Sequence, residues 1–305
     1  MFNHVRLNGG DLEFLEGDRP EEFLRVFSAS TIQSTATDVA KKLGSALVGK
    51  LGTQIGALIF DAIFPPGVPS YFDEVYDEIK KIVKEALAAN TIDEINGRIN
   101  GTQAWVENSY APRKSSSNPP SRQDLYNDVT PYVNLMYTEA VQTLMLPRYA
   151  KAGLTVFMVA AGVHLALFQE QALVDPNQTD PENSSFATTV KINAKIYHDH
   201  VIKTYNEIVD TRKKQVSVVY DPFVDCVGNS CVSQQRYYWE DAYSNERSGY
   251  FAASKDGPPA EQRARTDCDA HIEKVVNQLK SDLGDPIATA EQWLKLVSNP
   301  IPKPA

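Results

Sequence analysis

The segment Ala152–Phe168, AGLTVFMVAAGVHLALF, is the most apolar part of this chain and decides its fold. Only Thr155 and His164 carry polar side chains within it. A helix that is apolar on every side lies either at the centre of a large bundle or in lipid. Its roughly 17 residues are near the lower limit for spanning a bilayer core. Taken alone, the segment favours a core helix and leaves membrane insertion as the alternative.

The preceding segment, Ser121–Met145, predicts an amphipathic helix. Its apolar side carries Leu125, Val129, Tyr132, Met136, Ala140 and Leu144. The polar residues that we predict to line an aqueous pore are Asp128, Asn134, Glu139 and Gln142. A short turn through Pro147 leads into the apolar helix. The alternative is that the four polar residues only coat the solvent face of a surface helix.

Together the two segments predict a helical hairpin with one amphipathic arm and one apolar arm. Such a unit is suited to lining water with one arm while the other lies in lipid. The residues that we predict to enter the membrane are Leu154, Val156, Phe157, Val159, His164 and Leu165.

Composition indicates a globular body. Of 305 residues, 42% are hydrophobic and 23% are charged, which is enough for a substantial core. The net charge of −9 argues against nucleic acid and against electrostatic docking on anionic lipid, so a partner must be recognised by shape or through a receptor. The N-terminus lacks the features of a secretory signal peptide. We therefore expect a protein that is made soluble, in the cytoplasm or stored, and that acts outside the producer.

The organisation along the chain is predicted to be a lead segment over 1–30, one helical domain over 31–298 and a tail over 299–305. The lead segment is acidic and has little helical periodicity, which predicts proteolytic activation at Arg19 or Arg25. A frayed terminus without a role is the alternative. Further helical runs follow the apolar segment, including one from Val190 to Arg212 and a brief one through Trp293.

The pattern changes at Val216, where β-branched and aromatic residues predict a small β-hairpin within 216–257. Cys226 and Cys231 flank Gly228 and Asn229, a tight turn that favours a disulfide between them. Cys268 is predicted to be a buried or free thiol. Aromatic residues are frequent interface anchors, and the candidate receptor contacts are Tyr220, Phe223, Tyr237, Tyr238, Trp239 and Tyr243. Packing of these rings onto the helices is the alternative.

Motifs for catalysis or metal binding are incomplete. The sequence GSALVGK from Gly44 has the spacing of a phosphate-binding loop, but Leu51 stands where a Ser or Thr is required. There is no HExxH, and His198 with His200 does not make a metal site alone. We therefore predict no enzyme activity, no cofactor and no metal.

Two segments carry a resemblance to a known family. LPRYAKAGLTVFMVAAGVHLALFQEQALV from Leu146 and YHDHVIKTYNEIVDTRK from Tyr197 resemble helices five and six of the N-terminal domain of three-domain insecticidal crystal δ-endotoxins. IFPP at Ile63–Pro66 is similar to the end of that domain's second helix. The resemblance covers roughly Thr31–Gln215 and, more loosely, Glu261–Val297.

This resemblance implies an all-α fold, a bundle of about seven helices around a central hydrophobic helix, here with the β-hairpin inserted between the last two helices. It also implies a pore-forming toxin. In the family, an N-terminal peptide is shed, and the fourth and fifth helices insert into gut epithelial membranes and oligomerise into cation-permeable pores. The family's β-prism and β-sandwich receptor-binding domains have no counterpart in this sequence. The alternative function is a non-inserting binding module or one component of a binary toxin.

Overall fold

The structure, a computed structural model, describes residues 89–114, 116–227, 230–253, 257–283 and 285–301. The predicted helices before residue 89, the cleavage sites Arg19 and Arg25 and the motif at Gly44 lie outside these residues.

The first helices form one nearly continuous rod. Helix α1, Ala89–Trp105, runs through a π-helical turn, Val106–Tyr110, into α2, Ala111–Lys114. Its buried residues Ile95, Ile99 and Tyr110 belong to the main hydrophobic core.

The predicted amphipathic helix over 121–145 contains a π-helical segment that periodicity alone does not reveal. Helix α3, Arg122–Leu135, is followed by the π segment Met136–Val141 and by α4, Gln142–Met145. Ser121 caps α3 by accepting a hydrogen bond from the backbone N–H of Asp124, whose side chain bonds back to the cap. The predicted apolar positions Leu125, Val129, Met136, Ala140 and Leu144 are all buried.

The central helix is longer than the apolar segment that predicted it. After the short helix α5, Pro147–Ala150, helix α6 runs over Leu154–Leu173. It packs against α3, the π segment and two later helices, Ser185–Lys213 and Pro286–Ser298. A 3-10 turn, Pro181–Asn183, then leads to α7, Ser185–Lys213, capped by Ser184. The predicted all-α bundle around a central apolar helix is confirmed.

The β unit follows α7 and is larger than the predicted hairpin. Its strands are β1, Val216–Tyr220, β2, Phe223–Val227, β3, Ser230–Gln234, β4, Arg236–Asp241, β5, Glu246–Arg247, and β6, Phe251–Ala252. One long antiparallel hairpin underlies it, because Val216 lies opposite Asp241 and Phe223 lies opposite Gln234 in the same register. Pro222, which has no N–H to donate, interrupts the ladder between β1 and β2. The short strands β5 and β6, which the sequence did not predict, both pair with β4.

Two helices complete the described chain, α8, Ala260–Asp282, and α9, Pro286–Ser298. The first half of α8 covers the sheet, where Cys268 packs with Val216 and Trp239. Leu279 and Leu283, at its other end, belong to the main core. The brief run predicted around Trp293 is a full helix that lies along α7, and Trp293 is completely buried.

Candidate functional site

Helix α6 is buried on every side. All of its residues except Phe168 and Leu173 are buried, including the six predicted membrane-inserting residues. Among the described residues, it is the one helix long and apolar enough to cross a membrane, with a mean hydropathy of 1.4. Core helices of water-soluble proteins are also this long and apolar. Length, hydropathy and burial therefore do not distinguish a core helix from one that inserts into a membrane.

His164 is the polar residue in the middle of this apolar helix. Its Nδ1 lies 2.6 Å from the Tyr197 hydroxyl on α7, and the Tyr137 ring stacks 5.3 Å away. Burial lowers the pKa of His164 to about 3. The imidazole is therefore neutral at physiological pH, and no charged side chain lies between Leu154 and Phe168.

The polarity of α6 is concentrated in its last turns. Glu170 is fully buried, and its Oε1 accepts hydrogen bonds from the Tyr110 hydroxyl and the Lys114 ammonium group. Burial, together with the charge of Glu170, raises the pKa of Tyr110 far above its usual range. A buried ion pair thus joins the central helix to the rod of α1 and α2.

Three further hydrogen bonds hold the same end of the helix. The Gln171 Nε2 donates to the Thr130 hydroxyl on α3 at 2.9 Å, and the Gln169 Nε2 donates to the Pro300 carbonyl at 2.8 Å. Arg122 donates to the Leu173 carbonyl at 2.9 Å. We call Gln169, Glu170 and Gln171 the polar collar of α6. Its role is not evident from the sequence, where three polar residues directly after an apolar run are its one visible signal.

The four candidate pore-lining residues lie on the outer side of the amphipathic arm. Asn134 and Gln142 are exposed. The two carboxylates pair with arginines of the neighbouring rod: Asp128 with Arg113 at 2.6 Å, and Glu139 with Arg98 at 2.5 Å. In the folded protein they therefore join the arm to the adjacent helices.

The candidate receptor contacts separate into exposed and packed residues. Tyr220 and Phe223 are exposed, whereas Tyr237, Tyr238 and Tyr243 are partly buried. The Trp239 ring is buried, stacks 4.1 Å from the His271 ring and donates a 2.6 Å hydrogen bond to Asp267. Trp239 is therefore a packing residue that joins the sheet to α8, and its prediction as a surface contact is wrong.

A buried cluster that sequence reasoning missed joins the β unit to the helices. Asp241 on β4 accepts hydrogen bonds from the two terminal guanidinium nitrogens of Arg212 on α7, at 2.9 and 2.5 Å, and lies 3.0 Å from the His271 Nε2 on α8. Burial by itself raises the pKa of Asp241, but the hydrogen bonds from Arg212, His271 and the Tyr243 backbone outweigh it and hold that pKa well below its usual range. Asp241 stays ionised and fixes the β unit on the bundle.

The cysteines occupy two settings. Cys226 and Cys231 face each other across β2 and β3 and are joined by a disulfide. Cys268 is a buried thiol. Within the described ranges, no three His, Cys, Asp or Glu side chains lie together in a way that would hold a metal ion.

An apolar helix enclosed by amphipathic helices defines the class of this domain. The profile of the family described as delta endotoxin, N-terminal domain, matches residues 41–226, which is more than half of the chain. The chain belongs to this family. The match ends inside β2, so most of the β unit and the helices after it lie beyond the matched region.

Individual relatives are pesticidal crystal proteins. The chain is 26% identical to Cry2Ad of Bacillus thuringiensis over 175 residues, which cover 56% of this chain and 26% of that protein. It is 25% identical to Cry2Ab of Bacillus thuringiensis subsp. kurstaki over 213 residues, covering 67% of this chain and 32% of that protein. Identity to Cry1Db of Bacillus thuringiensis is 23% over 206 residues, covering 66% and 17% respectively. The chain therefore spans at most about a third of these relatives.

Proposed function

We propose that this chain is a non-enzymatic, pore-forming toxin of the insecticidal type, in which the hairpin of residues 122–173 enters the target membrane. The observation that carries the proposal is the character of α6, which is 20 residues long, apolar on every side and free of charge up to Phe168. Membership of the family and the names of the relatives support the same function.

The energetics of insertion favour this helix over the others. A side chain buried in the bundle is already out of water, so its transfer to lipid recovers most of the lost apolar contact. The uncharged part of α6, Leu154–Phe168, extends about 22 Å, which covers most of a bilayer core of about 30 Å. The polar collar at one end and the turn at Pro147 at the other are placed to remain near the two membrane surfaces.

The contacts that oppose insertion are polar. The ion pair of Glu170 with Lys114 and the bonds of Asp128 and Glu139 to arginines must break before the hairpin leaves the bundle. Once released, Asp128, Asn134, Glu139 and Gln142 line the water-filled side of an oligomeric pore, where the carboxylates favour cations. Gut epithelial membranes are the proposed target, and contact with them through the β unit is part of the proposal.

An engineered disulfide between α6 and α7 tests the insertion step. Ala172 and Ala187 are small, fully buried and members of one packed cluster with Ile301, and we choose them for Ala172→Cys and Ala187→Cys. A free-thiol assay checks that the bond forms. We expect the oxidised variant to lose dye release from lipid vesicles and the reduced variant to recover it. The wild type under the same redox conditions controls for the native disulfide. Undiminished dye release by the oxidised variant would disprove insertion of the hairpin, and no release by either form would favour a non-inserting binding module.

A further inference from the structure

The β2–β3 hairpin carries apolar side chains that the fold leaves in solvent. Val224 is 58% exposed, Val232 is 60% exposed and Phe223 is 39% exposed. We call Val224 and Val232 the tip surface, because Phe223, opposite Gln234, stands at the base of the hairpin. They lie beyond the sheet that α8 covers, because β2 and β3 pair only with each other among the described strands.

The tip surface is apolar on both faces of the hairpin. Val224 lies opposite Ser233, and Val232 lies opposite Asp225. Because successive side chains of a strand alternate between the faces, Val224 and Val232 point in opposite directions. A partner that covers one face would therefore leave the other valine in water, whereas a medium that surrounds the hairpin covers both.

The size of the hairpin argues against a protein partner. A strand of five residues extends about 17 Å, and two strands are about 10 Å wide, so each face offers roughly 170 Å². A stable protein interface buries about 800 Å² on each partner. Neither face alone approaches that area.

The low charge of the hairpin is compatible with a lipid surface that carries no net charge. Residues 223–234, FVDCVGNSCVSQ, contain one charged residue, Asp225, and no lysine or arginine. The whole chain carries a net charge of −9, which disfavours anionic headgroups. Zwitterionic headgroups impose no such penalty.

The base of the hairpin resembles the aromatic belt of proteins at membrane surfaces. Tyr220 and Tyr250 are about half exposed there. The Arg236 guanidinium lies over the rings of Phe223 and Tyr250, at 4.6 and 4.0 Å, and pairs with Asp221 at 2.7 Å. Amphipathic rings of this kind settle at headgroup level, with their polar groups toward water.

We infer that the tip surface enters the interfacial layer of a zwitterionic lipid bilayer and anchors the β unit there. The inference rests on the proposed function and deepens it by naming lipid as the partner of this unit. Insertion is shallow, because the outer edges of β2 and β3 present backbone groups that hydrocarbon cannot satisfy. The Cys226–Cys231 bridge keeps the strands paired as the hairpin enters.

Co-sedimentation with phosphatidylcholine vesicles tests the anchor. We expect Val224→Ser with Val232→Ser to weaken partitioning of the full chain roughly tenfold, because two apolar side chains no longer leave water. The matched control is Ile192→Ser with Ile196→Ser, which removes two similarly exposed side chains from α7 and leaves partitioning unchanged. Equal loss in both variants, or no loss in the tip variant, would overturn the inference. Far-ultraviolet circular dichroism checks that both variants are folded.

A second measurement locates the tip directly. We expect Val232→Trp to add fluorescence that brominated phosphatidylcholine quenches, while Ile196→Trp adds fluorescence that it does not quench. The oxidised Ala172→Cys, Ala187→Cys variant separates the anchor from the pore, because it should still bind vesicles through the tip while releasing no dye. If the tip variant binds phosphatidylcholine normally but fails to bind gut membrane vesicles, the tip contacts a protein receptor and the lipid anchor is wrong.

Discussion

Lys114 and Glu170, 56 residues apart in the chain, form a buried ion pair between the end of α2 and the last turns of the central helix. Glu170 is completely enclosed, and the Lys114 side chain is 11% exposed. A pair of this kind is costly to break, because the partner that remains is a buried charge. It therefore acts as a latch on the helix that is proposed to insert.

The latch predicts that loss of Lys114 destabilises the fold and that a second substitution, at Glu170, restores most of the stability. Lys114→Met should lower the free energy of unfolding by about 3–5 kcal/mol, since Glu170 is left buried without its counterion. Adding Glu170→Gln should restore most of that loss, and Tyr110 retains an acceptor. Urea denaturation measures both. Lys195→Met, which breaks an exposed pair on α7, is the control and should change nothing measurable. A small effect of Lys114→Met would show that the pair does not hold α6.

The Asp241 cluster predicts a pH dependence at the acidic end. Because the folded-state pKa of Asp241 is held below its unfolded value near 3.8, its contribution is fully present above that pH and is lost as the pH falls further. Asp241→Asn should cost about 3 kcal/mol at pH 7, since Arg212 is left buried without a counterion. The difference between the wild type and the variant should shrink below about pH 4. Urea unfolding at several pH values measures it, and a constant difference would contradict the assignment.

His164 predicts that the stability of the fold also depends on pH between about 6.5 and 3. Burial lowers its folded-state pKa from 6.5 to about 3, so the unfolded chain binds a proton that the folded chain does not. Stability is therefore intact above pH 6.5 and falls as the pH decreases toward 3, by up to about 1.4 kcal/mol per pH unit from this group. His164→Gln should flatten that slope. Burial also lowers the pKa of His200, to about 4, so His200→Gln is measured in parallel. An unchanged slope in His164→Gln would mean that His164 takes up its proton without unfolding.

The proposed lumen predicts a change in ion selectivity. Asp128→Asn together with Glu139→Gln should reduce the cation preference of single channels in planar bilayers, because two carboxylates leave the water-lined face. Both changes also weaken pairs with arginines of the rod, so the onset of conductance should be faster. Asp199→Asn, outside the hairpin, is the matched control. Channels that keep their full cation preference would remove these residues from the lumen.

Activation by proteolysis predicts that a chain without the lead segment forms pores faster than the full chain. A chain that begins at Ser28, and so lacks Arg19 and Arg25, should release vesicle dye faster than the full chain, because the acidic lead segment no longer has to be removed. Trypsin treatment of the full chain should produce the same rate. Equal rates without trypsin would show that trimming has no role.

Local patterns in the sequence predicted the parts of the fold that depend on short-range spacing. The central helix follows from the run at Ala152–Phe168, and the buried side of the amphipathic arm follows from apolar residues three and four positions apart. The turn between Cys226 and Cys231 predicted the long hairpin in the same way. These features require no knowledge of what packs against them.

Local patterns did not predict contacts between residues that are far apart in the sequence. Nothing local to Glu170 indicates that Lys114 meets it, and nothing near Asp241 indicates Arg212 or His271. Trp239 resembled an exposed anchor because composition does not report which face of a strand a helix covers, and α8 covers this one. The helix around Trp293 was predicted to be only a brief run for a similar reason, because its stability comes from packing along α7, which the local sequence does not show.

The sequence by itself determined that a helix too apolar for any surface must be enclosed, because water excludes it whatever the rest of the chain does. Only the tertiary structure decided what encloses that helix and holds it. The latch, the collar and the Asp241 cluster depend on how helices cross, and those crossings are set by the packing of whole faces rather than by any single residue.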